Sequence, residues 1–312
     1  MNRCLLSLAA ISICSSAPLQ AQEFASNAGS AIAAAPSRPE RAPALGCSTG
    51  PIAALQVAPD GRPLVPVFSD DFDTFRQLGA TGGVWRTTFG DGSQLGLDRR
   101  SLPTNDELEL YVDSDLSDAN GKIGLSPFRV RNGYLDIMAS PTPQSALLRL
   151  GNHPYISGMI SSQPSFSQTY GYFEMRAELP GGKGLWPAFW LLPADQSWPP
   201  EIDILESVGD PSHVYSTVHS TLQPAIGIEA HVSANAFHTY AVSWDRRRIV
   251  WYIDGQETGE QNTPADLNKP MYMIANLAVG GDWPGSPDGS TDFPARLTID
   301  FIRAYKFAND RS

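Results

Sequence analysis

The residues best suited to chemistry lie in Glu201-Ile202-Asp203-Ile204-Leu205-Glu206, where three acids fall within six positions of an apolar stretch. Side chains alternate along a regular strand, so Glu201 and Asp203 share a face. Glu206 is five positions from Glu201 and would turn into the core, where a lone carboxylate is costly. One extra residue accommodated near Ile204-Leu205, a β-bulge, returns Glu206 to the face of the other two. The two glutamate backbones then stand roughly 13 Å apart, and inward-leaning side chains leave a carboxyl gap on the order of 5–6 Å. Retaining glycoside hydrolysis needs about 5–5.5 Å, and inverting hydrolysis about 6.5–9.5 Å. Three acids this close cannot all ionise freely, so at least one keeps a proton near neutral pH and serves as a general acid. A solvated acidic strand or a calcium site is the rival reading, and the aromatic flanks disfavour it.

Those flanks are tryptophan-rich. Trp186 and Trp190 lie in Gly184-Leu185-Trp186-Pro187-Ala188-Phe189-Trp190, Trp198 precedes the acids, and Trp283 sits in Gly280-Gly281-Asp282-Trp283-Pro284-Gly285. Sugar rings pack their C–H faces on flat aromatics while their hydroxyls take directed hydrogen bonds. Trp244 and Trp251 stand mid-strand among apolar residues and read as core.

The elements that must hold these residues are strands. The chain has 27 Gly, 26 Pro and only 18% charged residues over 312 positions, a composition suited to many short strands and turns. Phe173, Met175, Ala177 and Leu179 alternate with Tyr172, Glu174, Arg176 and Glu178. His238, Tyr240, Val242 and Trp244 form another apolar face. Residues 249–253 run into the hairpin signal Asp254-Gly255. Leu297, Ile299, Phe301 and Tyr305 are expected on one side of a last strand. No amphipathic helix beyond two turns and no internal repeat is present, so residues 64–308 are expected to form one all-β sandwich of two antiparallel sheets.

The net charge of −11 argues against a nucleic-acid partner, which calls for a basic footprint. No apolar run is long enough for a membrane-spanning helix. Residues 1–21 read as a secretory signal, with Arg3 before an apolar stretch and Leu19-Gln20-Ala21 at the cleavage position. Its removal takes Cys4 and Cys14 and leaves Cys47 alone, so no intramolecular disulfide can form. Residues 22–63 are rich in Ala, Pro and Ser and read as a leader or linker. The expected product is a monomer, secreted or periplasmic, whose partner is a polysaccharide.

The acid cluster resembles that of glycoside hydrolase family 16. The resemblance extends over nearly all of residues 64–307 through Tyr170-Gly171-Tyr172-Phe173-Glu174, Phe237-His238-Thr239-Tyr240, Trp251-Tyr252-Ile253-Asp254-Gly255, Asn276-Leu277-Ala278-Val279-Gly280-Gly281 and Ile299-Asp300-Phe301. It implies a concanavalin-like jelly-roll sandwich with a substrate cleft, and endo-hydrolysis of a β-glycan with retained configuration. The bulged E-x-D-x-x-E form is that of laminarinase-like members. By position, Glu201 is implied as nucleophile, Glu206 as acid/base and Asp203 as the residue that tunes them. The resemblance also places His219 beside the acids, and Asn105, Trp186, Trp190, Asn276 and Trp283 along the cleft. No cofactor is implied for catalysis. A structural calcium is implied at Asp71, the backbone of Gly133, and Asp300, with Asp71 standing where Glu is more usual.

Pro200 before the first acid, after Trp198-Pro199, resembles bacterial glycanases that trim exopolysaccharides such as succinoglycan, so a β-1,3-glucan and an exopolysaccharide both stay open as substrates. A transglycosylase would use the same residues. A non-catalytic glycan-binding sandwich would keep the aromatics but has no need of three acids at this spacing.

Overall fold

In the computed structural model, the structure describes residues 56–308 apart from 80, 91–95 and 164. The signal segment 1–21, Cys47 and most of the leader lie outside the described residues. The leader boundary moves, however. Gln56–Val57 pairs antiparallel with Leu64 and Pro63, Ala58 is buried, and Arg62 Nη1 bonds Asp245 Oδ2 at 2.8 Å. The fold therefore includes residues 56–63, ahead of the expected start at Leu64.

The architecture is the expected all-β sandwich, and among the described residues the only helix is a single 3-10 turn, Pro103–Asn105. A large sheet carries, among others, the neighbouring strands Gln256–Asn262, Arg248–Ile253, His238–Trp244, Gly171–Glu178 and Ala295–Phe307. A second sheet of six strands carries the acids. Its order is Ile226–His231, His213–His219, Glu201–Glu206, Leu185–Pro193, Met271–Val279 and Met159–Ser161, all antiparallel.

One apolar cluster fills the space between the sheets. Phe173, Met175 and Ala177 enter it from the large sheet, and Phe189, Leu191, Ile202 and Met273 from the acid sheet. All are shut off from solvent, and each of the larger side chains contributes about 1.5–3 kcal/mol of burial before entropy is counted. Tyr240, Val242 and Trp244 join the same cluster, as their alternation predicts, and Trp251 is in the core as well. The hairpin after Arg248–Ile253 turns at Asp254 (φ 51°) and Gly255 (φ 76°). Two successive positive φ values are the type I′ geometry that matches strand twist, which Asp-Gly adopts at low cost.

The last strand departs from expectation. Leu297 and Ile299 face the core, but so do Ile302 and Ala304, whereas Tyr305 packs in a separate cluster with Tyr172 and Tyr252. The register explains it. Ala177 pairs with Ile299 and Arg176 with Phe301, so Asp300 is an extra residue and the faces exchange beyond it.

Candidate active site

The same device operates in the acid strand. Asp203 pairs with Thr217 and Glu206 with Tyr215, so three steps on Glu201–Glu206 match two on His213–His219. On the other side, Leu205 pairs with Phe189 and Asp203 with Trp190. One residue is thus extra, at the expected Ile204-Leu205 position. Ile202, Ile204 and Leu205 all enter the core, while Glu201, Asp203 and Glu206 project from the opposite face. The bulge is pinned through its backbone. Ser216 Oγ donates to the Ile204 carbonyl at 2.9 Å, and Trp251 Nε1, from the large sheet, donates to the Asp203 carbonyl at 2.9 Å.

Each acid has its own surroundings. Trp198 Nε1 donates to Glu201 Oε2 at 2.7 Å, and Trp186 Nε1 to Glu206 Oε1 at 3.0 Å. His219, opposite Glu201 in register, brings Nε2 to 3.2 Å from Asp203 Oδ2. That is close enough for an ion pair but is not aligned as a hydrogen bond, so this buried oxygen has no hydrogen-bond partner. Loss of hydration raises the pKa of all three acids. The charge of Asp203 adds to the effect at Glu201, and that of Glu206 adds to it at Asp203. Glu206 is raised to about 7, by desolvation first and the charge of Glu201 second. Burial alone would lower His219, but contact with Asp203 and the charges of all three acids raise it to about 9. At neutral pH the site therefore holds an imidazolium beside three acids whose hold on protons is strengthened by burial and by one another's charge.

The expected substrate residues divide into two groups. Trp186 and Trp283 meet edge-on with centroids 5.7 Å apart, and Trp283 is 47% exposed, as a sugar platform requires. Gly281 permits this, with φ of +123° and a Cβ position only 3.2 Å from the Trp186 ring. Asn105 is half-buried and donates through Nδ2 to Glu107 Oε1 at 3.1 Å. Trp190 and Asn276, by contrast, are buried. Trp190 Nε1 donates to Asn276 Oδ1 at 2.7 Å, and Asn276 Nδ2 to Tyr111 Oη at 3.1 Å. Phe89 and Tyr111 cover them, so they build the floor and present no stacking surface.

Trp198, already singled out among the flanking tryptophans, joins the site with two residues that spacing and motif did not assign to it, Tyr215 and Glu107. Trp198, 42% exposed, holds Glu201 and lies over the His219 ring at 6.3 Å. Tyr215 pairs in register with Glu206 and packs on Trp283 at 5.0 Å. Glu107 adds to the upward shift of Glu206 and lines an adjoining cavity of about 560 Å³ with Pro103, Asp106, Leu108, Asp282 and Ser286. The alternation His213, Tyr215, Thr217, His219 was the available signal for Tyr215.

Two of the residues expected to hold calcium, Asp71 and Asp300, contact arginines. Asp71 Oδ1 accepts from Arg303 Nη2 at 2.7 Å, and Asp300 Oδ2 from Arg176 Nη1 at 2.8 Å. A calcium ion needs six to eight oxygens, with carboxylates supplying the charge. One oxygen of each aspartate is engaged by a guanidinium group.

Residues 126–303 match the model of glycosyl hydrolases family 16. The chain belongs to that family. Two Rhizobium meliloti (strain 1021) proteins, the endo-1,3-1,4-beta-glycanases ExsH and EglC, are 41% and 40% identical to it. The alignments cover 80% and 82% of this chain, which spans only 54% and 55% of those longer relatives. The laminarinase catalytic domain of Thermotoga maritima MSB8 superposes with a TM-score of 0.63 at 32% identity, covering 79% of this chain and 99% of that one.

Proposed function

We propose that this family 16 chain is a secreted or periplasmic retaining endo-β-glucanase acting on β-1,3- or β-1,3-1,4-linked chains, and that it works as a monomer. The observation that carries the reading is the one-residue bulge, which puts Glu206, with its pKa near 7, on the face of Glu201.

In the first step, the Glu201 carboxylate attacks the anomeric carbon while Glu206 gives its proton to the departing glycosidic oxygen. The carbon–oxygen bond to the leaving sugar breaks, and a glycosyl ester to Glu201 forms on the α face. In the second step Glu206, now a carboxylate, takes a proton from water. The resulting hydroxyl displaces Glu201, and the product carries the β configuration. The Trp198 N–H and the nearby His219 cation favour the ionised form of Glu201, and His219 offsets the charge of Asp203. Trp186 and Trp283 supply the platform for the sugar rings. The names of the two Rhizobium meliloti relatives support a mixed-linkage β-glycan as substrate.

The test is hydrolysis of laminarin, mixed-linkage glucan, succinoglycan, agarose and xyloglucan, with the first-formed anomer followed by proton NMR. β-Anomers and oligosaccharides of intermediate length from a β-1,3-containing glucan are expected. Products with the α configuration, or binding without cleavage of any of the five, would overturn the proposal. Products joined to an added acceptor sugar would identify transglycosylation.

A further inference from the structure

We infer that His213, Glu229 and His231 form a binding site for a borderline divalent cation of the zinc class, on the same sheet face as the acids. His213 pairs in register with His231, and Tyr215 with Glu229, on the neighbouring strands His213–His219 and Ile226–His231. Residues directly opposite in an antiparallel pair point to the same side. The alternation from His219 back to His213 makes it the side of Glu201 and Glu206. One ligand atom from each of the three residues lies within 4.8 Å of the other two. His213 Nδ1 stands 2.7 Å from Glu229 Oε1, and the two imidazole rings meet edge-on with centroids 4.3 Å apart.

The donor set selects the ion. Two imidazoles and one carboxylate suit zinc and its neighbours, whereas calcium and magnesium call for oxygen throughout. Three protein ligands leave one tetrahedral position for water. Asp210 lies within ion-pair reach of the outer ring nitrogen of His213, though not at hydrogen-bond distance. Its Oδ2 is 3.7 Å from His213 Nε2, the ring nitrogen turned away from Glu229. A carboxylate behind a metal-bound imidazole orients the ring and raises its basicity. Entry needs no rearrangement, since His231 is exposed and the His213 side chain is 36% exposed.

The site is separate from the acids yet mechanically joined to them. His213 and His219 are six residues apart on one strand, roughly 20 Å. Tyr215 lies between, with its hydroxyl 3.4 Å from Glu229 Oε1, its ring on Trp283 and its backbone opposite Glu206. An ion that draws Glu229 toward the histidines ties the edge strand to the platform side of the cleft.

The test is calorimetric titration of the chelator-treated protein with zinc chloride, with cobalt chloride as a spectroscopic probe. One ion per chain and an absorption typical of tetrahedral cobalt are expected. His231→Gln and Glu229→Gln should each weaken binding roughly tenfold or more. Circular dichroism should show both variants folded, and the rise in Tm that zinc gives the unaltered protein should vanish in them. Glu201→Gln should bind as the unaltered protein does. Unchanged binding in His231→Gln, loss of binding in Glu201→Gln, or no binding up to about 1 mM zinc would each overturn the assignment.

Discussion

Two histidine–aspartate pairs, His238–Asp254 and His219–Asp203, look alike in the sequence and differ in their surroundings. His238 is buried in the large sheet, and each polar atom of its ring is matched. Nδ1 lies 2.6 Å from Asp254 Oδ2, Nε2 lies 3.0 Å from the Ser233 carbonyl, and Asp254 Oδ1 accepts from the Thr239 amide at 2.8 Å. His219 is about one-third exposed and faces an Asp203 oxygen that lacks any aligned donor, with two more carboxylates close by. Saturated hydrogen bonding makes the first pair a fastener of the hairpin around Asp254-Gly255. A surplus of carboxylates over donors makes the second a reservoir of shifted protons, which is the condition acid–base chemistry needs.

The largest expected effect comes from the backbone under the cleft pair. Inserting one alanine after Ile204 should return Glu206 to the core face and abolish hydrolysis, with a loss of stability from the buried carboxylate. Deleting Leu205 leaves the acid on the cleft side of a regular strand and should retain partial activity. Assays of the two variants side by side check this order, and greater activity in the insertion variant would break it.

His219→Gln removes the cation from among the acids. The ionised form of Glu201 then loses support, so kcat/KM should fall on the order of 10- to 100-fold near pH 6, and its acidic limb should move to higher pH. The alkaline limb, set by deprotonation of Glu206, is expected near pH 7 in the unaltered enzyme and should also move up in the variant, because the His219 charge holds the Glu206 pKa down. Stability gives an independent readout. His219 is raised from 6.5 to about 9, so its stabilising effect is complete below pH 6.5 and is lost as pH rises toward 9. The Tm difference between the two proteins should narrow across that window.

His238→Ala should behave in the opposite way. Removing one partner from a buried, hydrogen-bonded pair costs about 1–3 kcal/mol, so Tm should drop while activity per folded molecule is unchanged. An equal loss of activity in His238→Ala and His219→Gln would erase the distinction between the pairs.

Much of this contrast was legible in the residues. The conflict between five-residue spacing and two-residue alternation required the bulge at Ile204-Leu205, because burying a lone carboxylate is so costly. The bulge at Asp300 left a weaker sign: an unbroken strand would turn Arg303 to the core face of Leu297 and Ile299, but apolar and aromatic residues on both faces masked the exchange from Ile299 to Ile302. Trp186 and Trp190 are both tryptophans on one face of the same strand by alternation. Only the layer of Phe89 and Tyr111, distant in the chain, decides that Trp190 is covered. The ion pairs of Asp71 and Asp300 likewise depend on arginines brought from other strands, which spacing does not reveal.

The division of labour between Glu201 and Glu206 is the central claim, and one measurement reaches it directly. Glu206→Ala should be folded and nearly inactive on polysaccharide. On an aryl β-glycoside whose leaving group needs no proton, added azide should restore turnover. The azide would attack the Glu201 ester from the face that water uses, so the glycosyl azide should have the β configuration by NMR. An α-azide would mean that the variant lacks its nucleophile, so that Glu206 attacks the sugar and Glu201 handles the proton.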